Sequence, residues 1–103
     1  MNAEDEVEDE LHRVKHMTRQ DVAVMLGVTP SAIGQWRNEK GLPFNREPGG
    51  KISYDAAVVT EWYIAREFAK RGRKPPTREV VECLDDVVDY LRRNFPLVKV
   101  VNK

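Results

Sequence analysis

Four residues, Gly27-Val28-Thr29-Pro30, constrain the fold more than any other part of the chain, because they stop one helix and start another with almost no backbone between. Gly27 has no Cβ, so it accepts the left-handed conformation in which helices commonly terminate. Thr29 offers a side-chain oxygen to the free N–H groups of a new helix. Pro30 stands at that helix's first position, where its missing N–H costs nothing. Upstream, Thr18 reads as an N-cap, with Asp21 in the capping-box position where Glu or Gln is usual. The first helix therefore ends near Leu26, with Val22, Ala23 and Leu26 on one face. The second runs to about Lys40-Gly41, with Ile33 and Trp36 inward and Gly41 as its left-handed terminus.

Two short helices joined this tightly must cross, and Ala23 supplies the small residue that a crossing needs. With Gly27 as the turn, Val28 as an apolar plug and Ile33 and Trp36 as the inward pair, the spacing is that of a helix-turn-helix. A plain αα-hairpin would share the apolar period, though not the whole set. The opposite side of the second helix carries Thr29, Ser31, Gln35 and Asn38. Amide side chains can pair with both edge atoms of adenine, and hydroxyls bond bases or phosphates. Such a helix enters the major groove with its N-terminal turn foremost, while Arg37 and Lys40 reach backbone phosphates. Ser31 alternatively adds to capping. Gly34 either permits close approach to a sugar-phosphate backbone or is merely tolerated.

Two short extended pieces, at about 42–46 and 51–54, flank Glu47-Pro48-Gly49-Gly50, whose turn chemistry predicts a β-hairpin. Arg46 and Lys51 bracket its tip, suited to the minor groove or to neighbouring phosphates; an ordinary solvated turn is the alternative. Asp55 caps a third helix to about Arg71, with Val58, Trp62, Ala65 and Ala69 as its apolar stripe and Val59, Tyr63 and Phe68 as spare surface. Arg73-Lys74-Pro75-Pro76 breaks it as a stiff basic linker. Thr77 caps a last helix to about Asn94, on which Val81, Leu84, Val88, Leu91 and Phe95 alternate steps of three and four. That seam either drives self-association into a homodimer or folds back onto the core, since so small a domain needs the burial. The expected fold is mainly α with a small β-hairpin wing: a winged helix-turn-helix at 17–72, a basic linker at 73–78, and a C-terminal helix and tail at 79–103 that dimerises or docks a partner.

The formal net charge of zero conceals an asymmetry. Six of the 17 acids lie in the first ten residues with no base among them, so the rest of the chain carries +6. Residues 1–16, acidic and poor in apolar side chains, are expected to be disordered, as a solubilising tail, a decoy for the basic surface or a docking arm. The basic remainder suits a polyanion. Arg66, Lys70, Arg71, Arg73 and Lys74, with Arg78 beyond, extend the phosphate footprint unless they are only a solvated face.

Catalytic readings find no support. Pro-Gly-Gly-Lys is a poor imitation of a phosphate-binding loop. Cys83 lies on a valine-rich helix face with no histidine near it and reads as a small apolar residue. Asp85, Asp86 and Asp89 read as a solvated face rather than a metal site. The chain is expected to be no enzyme, to hold no cofactor or metal, and to work in the cytoplasm, with no membrane span, secretory signal or disulfide.

The run Asp21-Val22-Ala23, Leu26-Gly27-Val28, Ile33-Gly34-Gln35-Trp36, then Gly41-Leu42-Pro43, a glycine-rich wing, Tyr54-Asp55-Ala56-Ala57-Val58-Val59 and Trp62-Tyr63 resembles the N-terminal domain of lambdoid phage terminase small subunits. The resemblance covers residues 17–66, and its most specific part follows the wing. Excisionase and MerR-like domains share the architecture. It implies a dimeric protein of the bacterial host cytoplasm that recognises double-stranded DNA at a phage packaging site and recruits a large ATP-driven subunit. Thr29, Ser31, Gln35 and Asn38 would read bases, with Arg46 and Lys51 on the wing. A transcriptional regulator or excisionase-like architectural protein, or an adaptor that has lost DNA binding, are the other functions these features admit. The acidic leader and the single C-terminal helix depart from the terminase pattern.

Overall fold

The computed structural model describes residues 3–70 and 78–98. Its elements are α1 (Ala3–Lys15), α2 (Arg19–Leu26), α3 (Pro30–Glu39), β1 (Asn45–Arg46), β2 (Ile52–Ser53), α4 (Ala56–Lys70) and α5 (Arg78–Asn94). The fold is mainly α with one small antiparallel hairpin, in the order helix, tight turn, helix, hairpin, helix that a winged helix-turn-helix has.

Of the helix starts read from the sequence, the two that flank the tight turn are both built. At α2, Thr18 Oγ1 accepts from the Asp21 N–H at 3.1 Å and the Asp21 carboxylate accepts from the Thr18 N–H at 3.0 Å, a reciprocal capping box. At α3, Thr29 Oγ1 accepts from the Ala32 N–H at 3.2 Å, with Pro30 in the first turn. Between them Gly27 adopts φ 71° and donates its N–H to the carbonyls of Ala23 and Val24. These contacts are local, so α3 must leave α2 in one direction. Val22, Ala23, Leu26 and Ile33 are buried together, and Val28 and Trp36 pack against them.

The hairpin pairs Asn45 with Ser53 and Arg46 with Ile52, shorter than the extended pieces expected from the sequence. Its turn is closed by a Gly50 N–H to Glu47 carbonyl bond of 3.0 Å, and Gly49 has φ 88°, as a type II turn with proline second and glycine third requires. A further antiparallel bridge joins Met17 to Tyr54, with N–H···O bonds of 2.8 and 2.9 Å in both directions. Both residues are buried, so the α1–α2 junction is sewn onto the sheet edge.

Three expectations are corrected. The acidic leader is a helix, α1, and not a disordered tail. Its acids crowd the N-terminal half and His12, Arg13 and Lys15 the last turn, the distribution that complements the helix dipole. Its C-terminal half is also held by contacts: Val14 packs on the core, the Arg13 guanidinium lies 4.7 Å from the centre of the Phe95 ring, and the Glu10 carboxylate accepts from the Leu97 N–H at 2.7 Å.

On α4 the buried face is rotated from the expected stripe. Of the expected stripe Trp62 packs on the core but Val58, Ala65 and Ala69 are exposed, while Ala56 and Val59 are buried and Tyr63 packs beside Trp62. The Asp55 cap is built as expected, accepting from the Ala57 and Val58 N–H groups at 2.9 and 3.4 Å. Burial, and after it the neighbouring Cys83 thiol, pushes the Tyr63 phenol up to about 12, so it is neutral at ordinary pH.

The last helix, α5, packs on α2, as the fold-back alternative expects. Phe95 and Val87 are buried and Leu91 packs on the core, and so does Tyr90, which lies off the expected seam. Leu84 and Val88 are half-buried and Val81 is 47% exposed. Half-buried Cys83 sits with its Sγ 4.0 Å from the Leu26 carbonyl oxygen. The linker signals from Gly72 to Thr77 lie outside the described residues.

Candidate nucleic-acid interface

The outer side of α3 follows from its inner one. Ile33 is wholly buried and Trp36 half-buried, which leaves Ser31, Gln35 and Asn38, spaced four and three apart, as a continuous exposed stripe. Thr29 and Lys40 are exposed at the two ends. Thr29 Oγ1 is engaged as the cap acceptor, so the hydroxyl proton is what it can offer a phosphate. Gln35 is held from one side: its Nε2 donates to Glu39 Oε2 at 3.1 Å. Arg37 is half-buried, with its guanidinium 5.9 Å from the centre of the Phe44 ring, so it leans toward the loop leading into the hairpin.

Gly34 is buried, and its missing side chain faces α2. A Cβ there would meet Arg19 Nη1 at 3.4 Å and Arg19 Cδ at 3.9 Å. The open face of the glycine is therefore covered by the Arg19 side chain from α2. Arg19 was not singled out in the sequence. It is the first residue of α2, directly after the Thr18 cap, and that position was the available signal. It is exposed, so a cation stands beside the N-terminal half of the α3 stripe.

Arg46 and Lys51 are exposed on the hairpin, one on each side of the Pro48-Gly49-Gly50 tip. The turn of this wing carries a polar clasp that the sequence did not suggest. Glu47 Oε1 accepts from Ser53 Oγ at 2.6 Å and from His16 Nδ1 at 2.5 Å, and the His12 ring stacks on His16 at 4.3 Å. The Ser53 hydroxyl, and next His16, hold the Glu47 carboxyl below the usual glutamate range. One carboxylate thus links α1, the turn and β2.

Arg66 is half-buried, with its guanidinium 5.0 Å from the Trp36 ring centre and 5.4 Å from that of Trp62. Its position joins α3 to α4, and any phosphate contact it makes is from this stacked place. The Lys70 side chain and Arg71, Arg73 and Lys74 lie outside the described residues. The structure thus gathers Thr29, Ser31, Gln35, Asn38 and Lys40 on one helix and Arg46 and Lys51 on the hairpin.

Among the described residues, no group of three or more His, Cys, Asp or Glu side chains is arranged to hold a metal ion, and no helix is long and apolar enough to cross a membrane. No protein-family model, curated protein or solved structure matches this chain, so the functional argument rests on its own residues.

Proposed function

We propose that this chain binds double-stranded DNA in a sequence-dependent way, with α3 in the major groove and the hairpin on the adjoining backbone. One observation carries the reading: the stripe Ser31, Gln35 and Asn38 is polar, uncharged and exposed along a helix whose other side is anchored by wholly buried Ile33. Side chains of this type match base edges, and the rigid support limits the entropy lost when they engage. Around them Arg19, Lys40, Arg46 and Lys51 supply phosphate contacts, and the +6 charge behind the first ten residues supplies the attraction.

The resemblance to terminase small subunits makes recognition of a phage packaging site, in the host cytoplasm and beside a large terminase subunit, the role we favour. Folding of α5 onto α2 fits one chain acting as the unit of binding. Half-sites one helical turn apart in DNA selected from a random pool would instead report a dimer.

The test is duplex binding across a salt series. Four phosphate contacts give a slope of log affinity against log salt of about −3.6. A slope near zero, or no duplex binding at low salt, would sink the proposal and leave a protein-interaction adaptor as the better reading.

A further inference from the structure

Gln35 and Glu39 stand one helical turn apart on α3, both exposed, and the Gln35 amide nitrogen donates to the Glu39 carboxylate. A carboxylate has only acceptors, so it determines which end of the amide faces it: the NH2 group and never the carbonyl. The second Nε2 proton and the Oε1 carbonyl then remain for an outside partner, side by side in one plane and in a fixed order along the helix. A donor beside an acceptor is the complement of adenine's major-groove edge, where N7 accepts and the N6 amine donates. Without Glu39 the amide turns freely and presents the two atoms in either order.

We propose that Glu39 is a specificity-determining positioning residue. It orients the Gln35 amide before DNA arrives, so that α3 selects an adenine at one base pair. The inference rests on reading α3 as the helix that enters the major groove. The same carboxylate is a negative charge on a face that approaches phosphates, so it weakens attraction to duplex of every sequence. Removing its charge therefore separates two effects that a merely structural contact would not: discrimination falls while general attraction holds or rises.

The experiment begins with sites selected by the wild-type chain from a random duplex pool. Gln35→Ala identifies the base pair read by Gln35 as the one at which preference is lost. The ratio of affinities for the A·T and G·C versions of that pair is then measured for wild type, Glu39→Gln, Gln35→Ala and the double variant. An immobilised side chain carries an ordering cost equivalent to roughly twofold to tenfold in affinity, so Glu39→Gln is expected to lower the ratio by that factor. Its affinity for random duplex is expected to stay level or increase. In the Gln35→Ala background Glu39→Gln should leave the ratio unchanged, because there is no amide left to orient. A ratio that Glu39→Gln does not alter, or a base other than adenine at that pair, overturns the assignment of Glu39 while the binding function stands. Wild type that fails to bind duplex overturns both.

Discussion

α3 and α5 both pack on α2, and they reach it by different means. α3 follows α2 through a three-residue turn, with a left-handed glycine at one end and a threonine cap at the other. Its central Ile33 is wholly buried. α5 returns to α2 from far along the chain and presents Val87 and Phe95 to the core, while Val81 stays 47% exposed and Leu84 and Val88 are only half-buried. The first contact is specified by backbone geometry before any side chain packs. The second depends on which apolar side chains find room. The region proposed to read DNA is accordingly the one whose direction is fixed locally, as a surface that must be pre-formed requires.

The largest expected effect tests this difference directly. Ile33→Ala should cost about 2–5 kcal/mol, the range for truncating a fully buried aliphatic side chain. Val81→Ala, at an exposed position, should stay within about 0.5 kcal/mol. Denaturant unfolding followed by circular dichroism measures both. Comparable losses would mean that α5 buries its seam elsewhere, and that the contrast between the two helices is wrong.

A smaller effect sharpens the role of the turn. Thr29→Ala removes the acceptor for the Ala32 N–H and should cost about 1 kcal/mol. The loss should appear first as faster hydrogen exchange in the opening turn of α3. Uniform acceleration across α2, α3 and α4 would show that the cap holds the whole fold rather than this joint.

The same contrast explains what was legible in the residues. The α2 capping box, the Gly27 turn, the Thr29 cap, the burial of Ile33 and the wing turn were all readable, because each depends on residues within four positions of one another. The α3 stripe was readable for the same reason: burying Ile33 fixes where Ser31, Gln35 and Asn38 go. The buried faces of α4 and α5 were not. Apolar residues lie on more than one side of each helix, and the face that is buried depends on what packs against it, α1 for α4 and α2 for α5. Nor were the ordered leader, the seat of Arg19 over Gly34, and the clasp of His16, Glu47 and Ser53, which depend on contacts distant in sequence. Glu39 is a different case. It stands four residues from Gln35, at a spacing where helical side chains meet, so this pairing was within reach of the sequence.

Gly34→Ala probes the joint from its other side. A methyl group would lie 3.4–3.9 Å from Arg19, in ordinary contact, while the helix interior would lose a glycine. The variant should therefore gain about 0.5–1 kcal/mol in unfolding free energy. A net loss would show that Arg19 cannot accommodate a methyl group and that the α2–α3 crossing is tighter than its distances imply.

The smallest effect concerns the wing, where a polar clasp adds to the packing of Ile52 on the core. The Glu47 carboxyl lies below its ordinary value in the folded chain, chiefly through Ser53 and then His16. A depressed carboxyl contributes stability that is present above the unfolded value and is lost as pH falls through the folded one. At neutral pH the clasp is therefore complete, and acidification through and below the ordinary glutamate range should release it. Unfolding free energies of wild type and Glu47→Gln, measured from about pH 7 to about pH 3, should converge at the acid end because the glutamine has no carboxyl to protonate. A gap that stays constant over that range would show that the ionised form of Glu47 contributes nothing. The wing would then be held to the body by the packing of Ile52 on the core and by the Met17–Tyr54 bridge.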